Sequence, residues 1–237
     1  MSVFESIRVW KNTPLFFPEH AARLRHACER FGFPVDEIVL ADAEKILREN
    51  GDGFARIYVT AGDGAVTDAV AQPRVFVFIE PREPVTGEVY ARGYALAISH
   101  EPYRALFGGL KTANYWTNAH ALGVARAHNR DEALLFNEPG ELVSACMANV
   151  FIARAGKIAT PPLECGARDG VVRAWVSARR EVKQRHLTRA DLAGADEIFL
   201  TNSWLGVMPV ASLDDRRLRS TSIAAGLRAD YERECLG

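Results

Sequence analysis

Lys111 is the residue of this chain best placed for covalent chemistry. It sits in Gly109-Leu110-Lys111-Thr112-Ala113-Asn114-Tyr115, between an apolar clamp and a polar Thr/Asn pair, just before a helix-like run. A lysine held away from water loses the hydration that favours its charge, and as a neutral amine it attacks carbonyls. Alone the heptapeptide is a weak signal, since most lysines between two segments are solvated. Other chemistries lack their patterns. His20, His26, His100, His120, His128 and His186 show no paired metal spacing with cysteine or carboxylate, so no metal site is expected. His120 and His128, on the helix after Lys111, read as exposed or capping. There is no Gly-x-Ser-x-Gly elbow and no Walker loop. Cys28, Cys146, Cys165 and Cys235 are scattered, which reads as reduced thiols in a cytoplasm. Cys146 reads as a small buried packing residue.

The elements that must position Lys111 follow from periodicity. Val3 to Trp10 alternates as a strand, and Glu19 to Phe31 places Ala21, Leu24, Ala27 or Cys28, and Phe31 on one helical face. Asp42 is the expected N-cap of a second helix that Gly51 ends. Strand-like runs follow at Phe54–Ala61, Arg74–Glu80 and Tyr90–Ser99, with a turn at Gly62-Asp63-Gly64 between the first two. His100–Gly109 reads as a linker. Beyond it come a helix from Asn114 to His128, a strand to Phe136, and a hairpin of Asn149–Ala153 with Lys157–Ala159. A helix over Asp169–Val182, strands at Glu197–Asn202 and Met208–Ala211, and a closing helix from Ser220 complete the chain. The expectation is an α+β (mixed α/β) protein of two domains: a small one at 1–103, a linker at 104–110 and a larger β-rich one at 111–237. The 237 residues carry 48% hydrophobic and 25% charged residues and a net charge of −1, which argues against nucleic acid or an acidic membrane as partner. No apolar run approaches the ~20 residues of a membrane span, and the first residues lack a signal pattern.

Several blocks, in order, resemble the pyridoxal-phosphate-dependent class IV aminotransferases (fold type IV). That family includes branched-chain and D-amino-acid aminotransferases and 4-amino-4-deoxychorismate lyase. The blocks are Val3-Phe4-Glu5-Ser6-Ile7-Arg8-Val9, Glu19-His20 with Arg23-Leu24, Arg56 in its strand, Leu110 to Tyr115, and Ala148-Asn149-Val150-Phe151. Thr160-Pro161-Pro162-Leu163 with Gly166, Gly170 and Arg173, and Asp196 to Ser203 through Pro209-Val210, complete the match. The resemblance implies that Lys111 binds the cofactor covalently and shuttles the Cα proton. It implies that Arg23, the backbone N–H groups of Gly170, Val171 and Val172, and the Ser203 hydroxyl hold the phosphate. It places Asn149 in the cofactor cradle and Tyr115 near the phenolic oxygen of the ring. It also implies a homodimer acting on a small amino-acid-like substrate, with a trimmed N-terminal domain here.

The chain departs from the family in three side chains. The family glutamate that pairs with the pyridine nitrogen is Ser144 here, and Glu141, an odd offset away, faces the other side of a strand. The leucine that packs on the ring is Arg168, whose guanidinium reaches the ring, a substrate carboxylate or the phosphate, or else folds outward. The threonine before Arg173 is Val172, which keeps the N–H and loses a hydroxyl. A serine cannot hold the ring nitrogen protonated as a carboxylate does, which weakens the electron sink and argues mildly for elimination over transamination. The expected activity is therefore that of an aminodeoxychorismate lyase, releasing pyruvate and 4-aminobenzoate. A D-amino-acid or branched-chain aminotransferase is the alternative, and a binding protein with degraded catalysis a further one.

Overall fold

The computed structural model describes residues 1–63 and 72–237 and divides into two compact units, Met1–Pro84 with Leu110–Asn114, and Val85–Gly109 with Tyr115–Gly237. Gly64, the last residue of the expected turn, lies outside the described residues.

The first unit holds β1 (Ser2–Trp10), β2 (Thr13–Pro14), α1 (Phe17–Arg30), α2 (Glu37–Glu49), β3 (Gly53–Thr60) and β4 (Arg74–Glu80). Its antiparallel sheet runs β2-β1-β3-β4. Alternation along β1 sends Val3, Ile7 and Val9, each at most 1% exposed, to the face that buries Leu24, Leu40 and Leu47 of the two helices. Asp42 is not the N-cap of α2. That helix starts after Asp36, whose backbone is extended. The reason is visible in packing: Leu40, Ala43 and Leu47 share the buried face, so the apolar stripe begins before Asp42.

The second unit holds α3 (Gly87–Arg92), β5 (Tyr94–Ile98), α4 (Trp116–Ala127), β6 (Glu132–Phe136), β7 (Leu142–Ala145), β8 (Asn149–Arg154) and β9 (Lys157–Thr160). It continues with α5 (Val171–Arg179), β10 (Val182–Gln184), α6 (Arg189–Ala193), β11 (Glu197–Asn202), β12 (Gly206–Leu213), β13 (Arg216–Arg217) and α7 (Ser222–Tyr231). Eight strands run β10-β9-β8-β11-β12-β5-β6-β7, with β13 on β12. The core on one side gathers Leu96, Leu134, Leu142, Ile198 and Met208, all fully buried. The mixed α/β class matches the sequence expectation.

The domain boundaries differ from the expected 1–103, 104–110 and 111–237. The run Tyr90–Ser99 splits: Tyr90 lies in α3 and donates its hydroxyl to Leu205 O at 2.7 Å, while β5 pairs in parallel with β6 and β12. The chain therefore leaves the first unit by Pro84. It comes back for Leu110–Asn114, where Phe4 N–H donates to Lys111 O at 2.9 Å and Ala113 N–H to Ser2 O at 3.1 Å.

No helix among the described residues is long and apolar enough to cross a membrane.

Candidate active site

The candidate residues fall in both units. In the first, the returning segment runs antiparallel to the start of β1, so Lys111 shares a face with Phe4, and its Nζ lies 4.2 Å from the Phe4 ring centroid. Phe4 in turn stacks on Tyr58 at 5.1 Å, and Lys111 is half-buried.

Arg23 sits on α1, one turn after His20, and both reach down to Glu5 on the helix-covered face of β1. Arg23 Nε donates to Glu5 Oε1 at 2.8 Å and Nη2 to Oε2 at 2.5 Å, while His20 Nδ1 lies 2.7 Å from Oε2. Glu5 and His20 are each 1% exposed. Burial alone would raise the Glu5 carboxyl, but the Arg23 charge and the hydrogen bonds from His20 and Arg23 outweigh it and bring it to about 2. Burial pushes His20 below its ordinary value against the pull of Glu5, and the Arg23 and Lys111 charges push the same way. The imidazole is thus neutral, with Nδ1–H donating to the carboxylate. The effect on His20 shows that Lys111 and Arg23 work on one small electrostatic patch. Sequence reasoning assigned a role to Arg23 alone. The missed signal was parity: Glu5 is the one acid among Val3, Ile7 and Val9 on a face destined for burial.

In the second unit, Arg168 turns inward rather than out to solvent. Its guanidinium lies 4.5 Å from the Tyr115 ring centroid, and Nη2 is 3.4 Å from the Tyr103 hydroxyl. Its Nε is buried with no hydrogen-bond partner, and no carboxylate lies within ion-pair distance among the described residues. Asn149, at the start of β8, donates Nδ2–H to Arg168 O at 2.7 Å. A Cβ on Gly170 would meet Asn149 Oδ1 at 2.1 Å, so only glycine lets that amide pass. Gly170 also opens α5 without a side-chain cap, leaving Val171 and Val172, 7% and 1% exposed, with first-turn N–H groups for an anion. Arg173 is spent on structure, donating to Pro161 O at 3.1 Å and Gln184 Oε1 at 3.0 Å.

Ser144 lies in β7 opposite Leu135 and is 4% exposed. The turn between Ser144 and Asn149 is locked from several sides. Glu132 accepts from Ala133 N–H at 3.2 Å, Cys146 N–H at 3.1 Å and Met147 N–H at 2.9 Å. Asn118 donates to Cys146 O at 2.8 Å and Asn202 to Met147 O at 3.1 Å. Burial raises the Glu132 carboxyl to about 7, the N–H bonds pulling only partly back. Cys146 is a buried packing residue, its thiol pushed up to about 12 by burial and by Glu132. Ser203 lies in the β11–β12 turn, two residues past Thr201, which pairs with Asn149.

The family model of class IV amino-transferases matches residues 2–213. The chain belongs to the class IV aminotransferases. Its relatives divide in activity. It is 26% identical to the aminodeoxychorismate lyase of Bacillus subtilis over 99% of this chain and 85% of that one. It is 27% identical to the branched-chain-amino-acid aminotransferase of Salmonella typhimurium over 90% of this chain and 76% of that one. The crystal structure of 4-amino-4-deoxychorismate lyase from Pseudomonas aeruginosa superposes with a TM-score of 0.88 at 27% identity, covering 98% of this chain and 90% of that one. The family consists of enzymes, and its cofactor is pyridoxal phosphate.

Proposed function

We propose that this chain is a pyridoxal-phosphate-dependent lyase that releases pyruvate from 4-amino-4-deoxychorismate and leaves 4-aminobenzoate. The observation that carries the reading is Ser144, a buried hydroxyl where the family pattern has the carboxylate that faces the ring nitrogen. The two nearby acids among the described residues are otherwise engaged: Glu132 is taken up by three backbone N–H groups, and Glu141 by Asn137 and His186. When bound, pyridoxal phosphate supplies an electron sink for the pair left by the departing Cα proton, and Ser144 leaves that sink weaker than a carboxylate does.

The chain's own residues then divide the work. Lys111 would hold the resting cofactor and, once freed by substrate, accept the proton from the carbon that bears the amine. The bond from the adjacent carbon to the enolpyruvyl oxygen breaks, and the departing enolate takes up a proton at its methylene carbon to leave as pyruvate. Arg23, with two of its donors fixed by Glu5, presents a guanidinium of set orientation to the phosphate. Within the second unit, the N–H groups of Val171 and Val172 at the uncapped, buried start of α5 suit a phosphate, and the family resemblance adds the Ser203 hydroxyl. Asn149 and Gly170 hold the loop that carries Arg168. Arg168 sits against two tyrosines instead of an acid, which suits a cation kept for a substrate carboxylate. Tyr115 orients the ring. The working assembly is taken as a homodimer, in line with the family resemblance and with the exposed Leu106, Phe107 and Trp116 of the second unit.

The test is an absorbance scan of the purified protein with pyridoxal phosphate, with D-alanine, L-leucine and aminodeoxychorismate in separate cuvettes. Formation of 4-aminobenzoate and pyruvate, with the visible cofactor band unmoved by amino acids, supports the lyase. Bleaching of that band by an amino acid alone makes the protein an aminotransferase, and absence of any band makes it a binding homologue. Replacement S144E should strengthen any transaminase half-reaction.

A further inference from the structure

Outside the residues assigned to cofactor and substrate, the second unit gathers three metal-ligating side chains of different kinds. Cys165 Sγ lies 3.5 Å from Glu141 Oε2 and 3.3 Å from His186 Nδ1, and His186 Nδ1 lies 2.7 Å from Glu141 Oε1. They come from the approach to β7, the short turn before Gly166 and the segment after β10, at separations of 21 and 24 residues for the two sulfur contacts. No short-range spacing in the sequence marks this grouping.

We propose that Glu141, Cys165 and His186 form a binding site for a divalent transition-metal ion, Zn2+ foremost. A tetrahedral zinc with one sulfur, one nitrogen and one oxygen ligand has ligand–ligand edges of roughly 3.3–3.6 Å. Both sulfur contacts here already have that length, the one to the carboxylate being made with Oε2. His186 meets the other carboxylate oxygen, Oε1, in a 2.7 Å hydrogen bond; the Glu141 carboxylate turns to offer one oxygen, and the His186–Glu141 separation opens by roughly 0.6 Å, when a metal replaces the shared proton. Thiolate, imidazole and carboxylate together suit zinc better than magnesium or calcium, which favour oxygen alone.

The surroundings are those of a metal ligand set. The other ring nitrogen of His186, Nε2, lies 2.9 Å from Glu164 Oε1, the carboxylate–histidine pairing that fixes a ligating imidazole. Asn137 Nδ2 donates to Glu141 Oε2 at 2.8 Å and so orients the carboxylate. Cys165 is 5% exposed, whereas the His186 side chain is 52% exposed, so the ion has a way in and the sulfur end is shielded. Three protein ligands leave a fourth position for water. A cavity of about 330 Å³, with Tyr103, Glu138, Glu164 and Cys165 in its walls, provides the room. A nucleophilic thiol is the less suitable reading of the same trio, because Glu141 beside Sγ opposes a thiolate unless a cation lies between them.

The protein as isolated, treated with chelator and then titrated with Zn2+ against a chromophoric competitor, tests this. One tight site is expected. C165S and H186A should weaken it by more than about 100-fold, and E164Q by about 10–100-fold. E138Q, whose side chain pairs with Arg104 and not with the three ligands, should leave it unchanged. Co2+ in place of Zn2+ should give tetrahedral ligand-field bands in the red, away from cofactor absorption, and a thiolate charge-transfer band lost in C165S. A wild type that binds only weakly, or an H186A protein that binds as well as wild type, overturns the proposal. H186A alters an exposed side chain, so its result stands even if C165S fails to fold.

Discussion

Glu5 in the first unit and Glu132 in the second are both almost wholly buried, at 1% and 4% exposure, yet their acidities move in opposite directions. Glu5 has a bidentate arginine and a histidine, and its carboxyl falls to about 2. Glu132 has backbone N–H groups and the Cys146 thiol in place of a cation, and its carboxyl rises to about 7. Partial positive charges on amides satisfy the hydrogen bonds of a buried carboxylate without offsetting its lost hydration; a full cation does both. The arginines show the mirror image. Arg23 meets a carboxylate, whereas Arg168 meets two tyrosines and keeps a buried Nε without a partner.

The comparison breaks most visibly in R23A, which strands a buried charge. A loss of about 3–5 kcal/mol is expected in the first unit, read by urea unfolding or by hydrogen exchange of β1 amides, with the second unit's exchange unchanged. Next in size is the pH response. Glu5 is depressed from 4.5 to about 2, so its stabilisation is complete above 4.5 and is lost as pH falls toward 2. Glu132 is raised from 4.5 to about 7, so its stabilisation is complete below 4.5 and is lost as pH rises toward 7. Each swing is on the order of 3 kcal/mol. Native-state exchange across this range should show the first unit opening on the acid side and the second weakening toward neutrality; parallel profiles in both units would refute the contrast. E132Q should flatten the second unit's profile between 4.5 and 7 and leave the acid limb of the first unit in place. Smallest is Y103F, which removes the 3.4 Å contact to Arg168 and should cost less than about 1 kcal/mol, measured as a shift in denaturation midpoint.

Local features were well written in the sequence. The strand at Val3, the first helix and the hairpin after Asn149 carry periodicity and turn residues that act within a few positions. Lys111 and Gly170 could be placed because their neighbours form recognisable blocks. What escaped depends on partners far along the chain. Nothing near Tyr94 says that its strand will lie in parallel between β12 and β6, so local pattern alone does not mark the boundary after Pro84. Asp42 looked like a cap because its side chain suits one, but Leu40 upstream had already committed to the core. Glu141, Cys165 and His186 carry no mutual spacing rule, since a turn, a loop and a sheet edge bring them together. Glu5 was readable only by asking why an acid stands on an apolar face.

The chain passes from one unit to the other at 84/85, 109/110 and 114/115. During synthesis this imposes an order of events. The N-terminal sheet cannot close its edge beside Phe4 when its own 84 residues have left the ribosome; it waits for residues 110–114, by which time β5 has also emerged without its partners β6 and β12. A single proteolytic nick between 85 and 109 would cut the covalent route yet leave the segment that carries Lys111 pinned to β1 by its hydrogen bonds. Split expression at that point should therefore yield two fragments that must meet before either holds a complete set of its own residues.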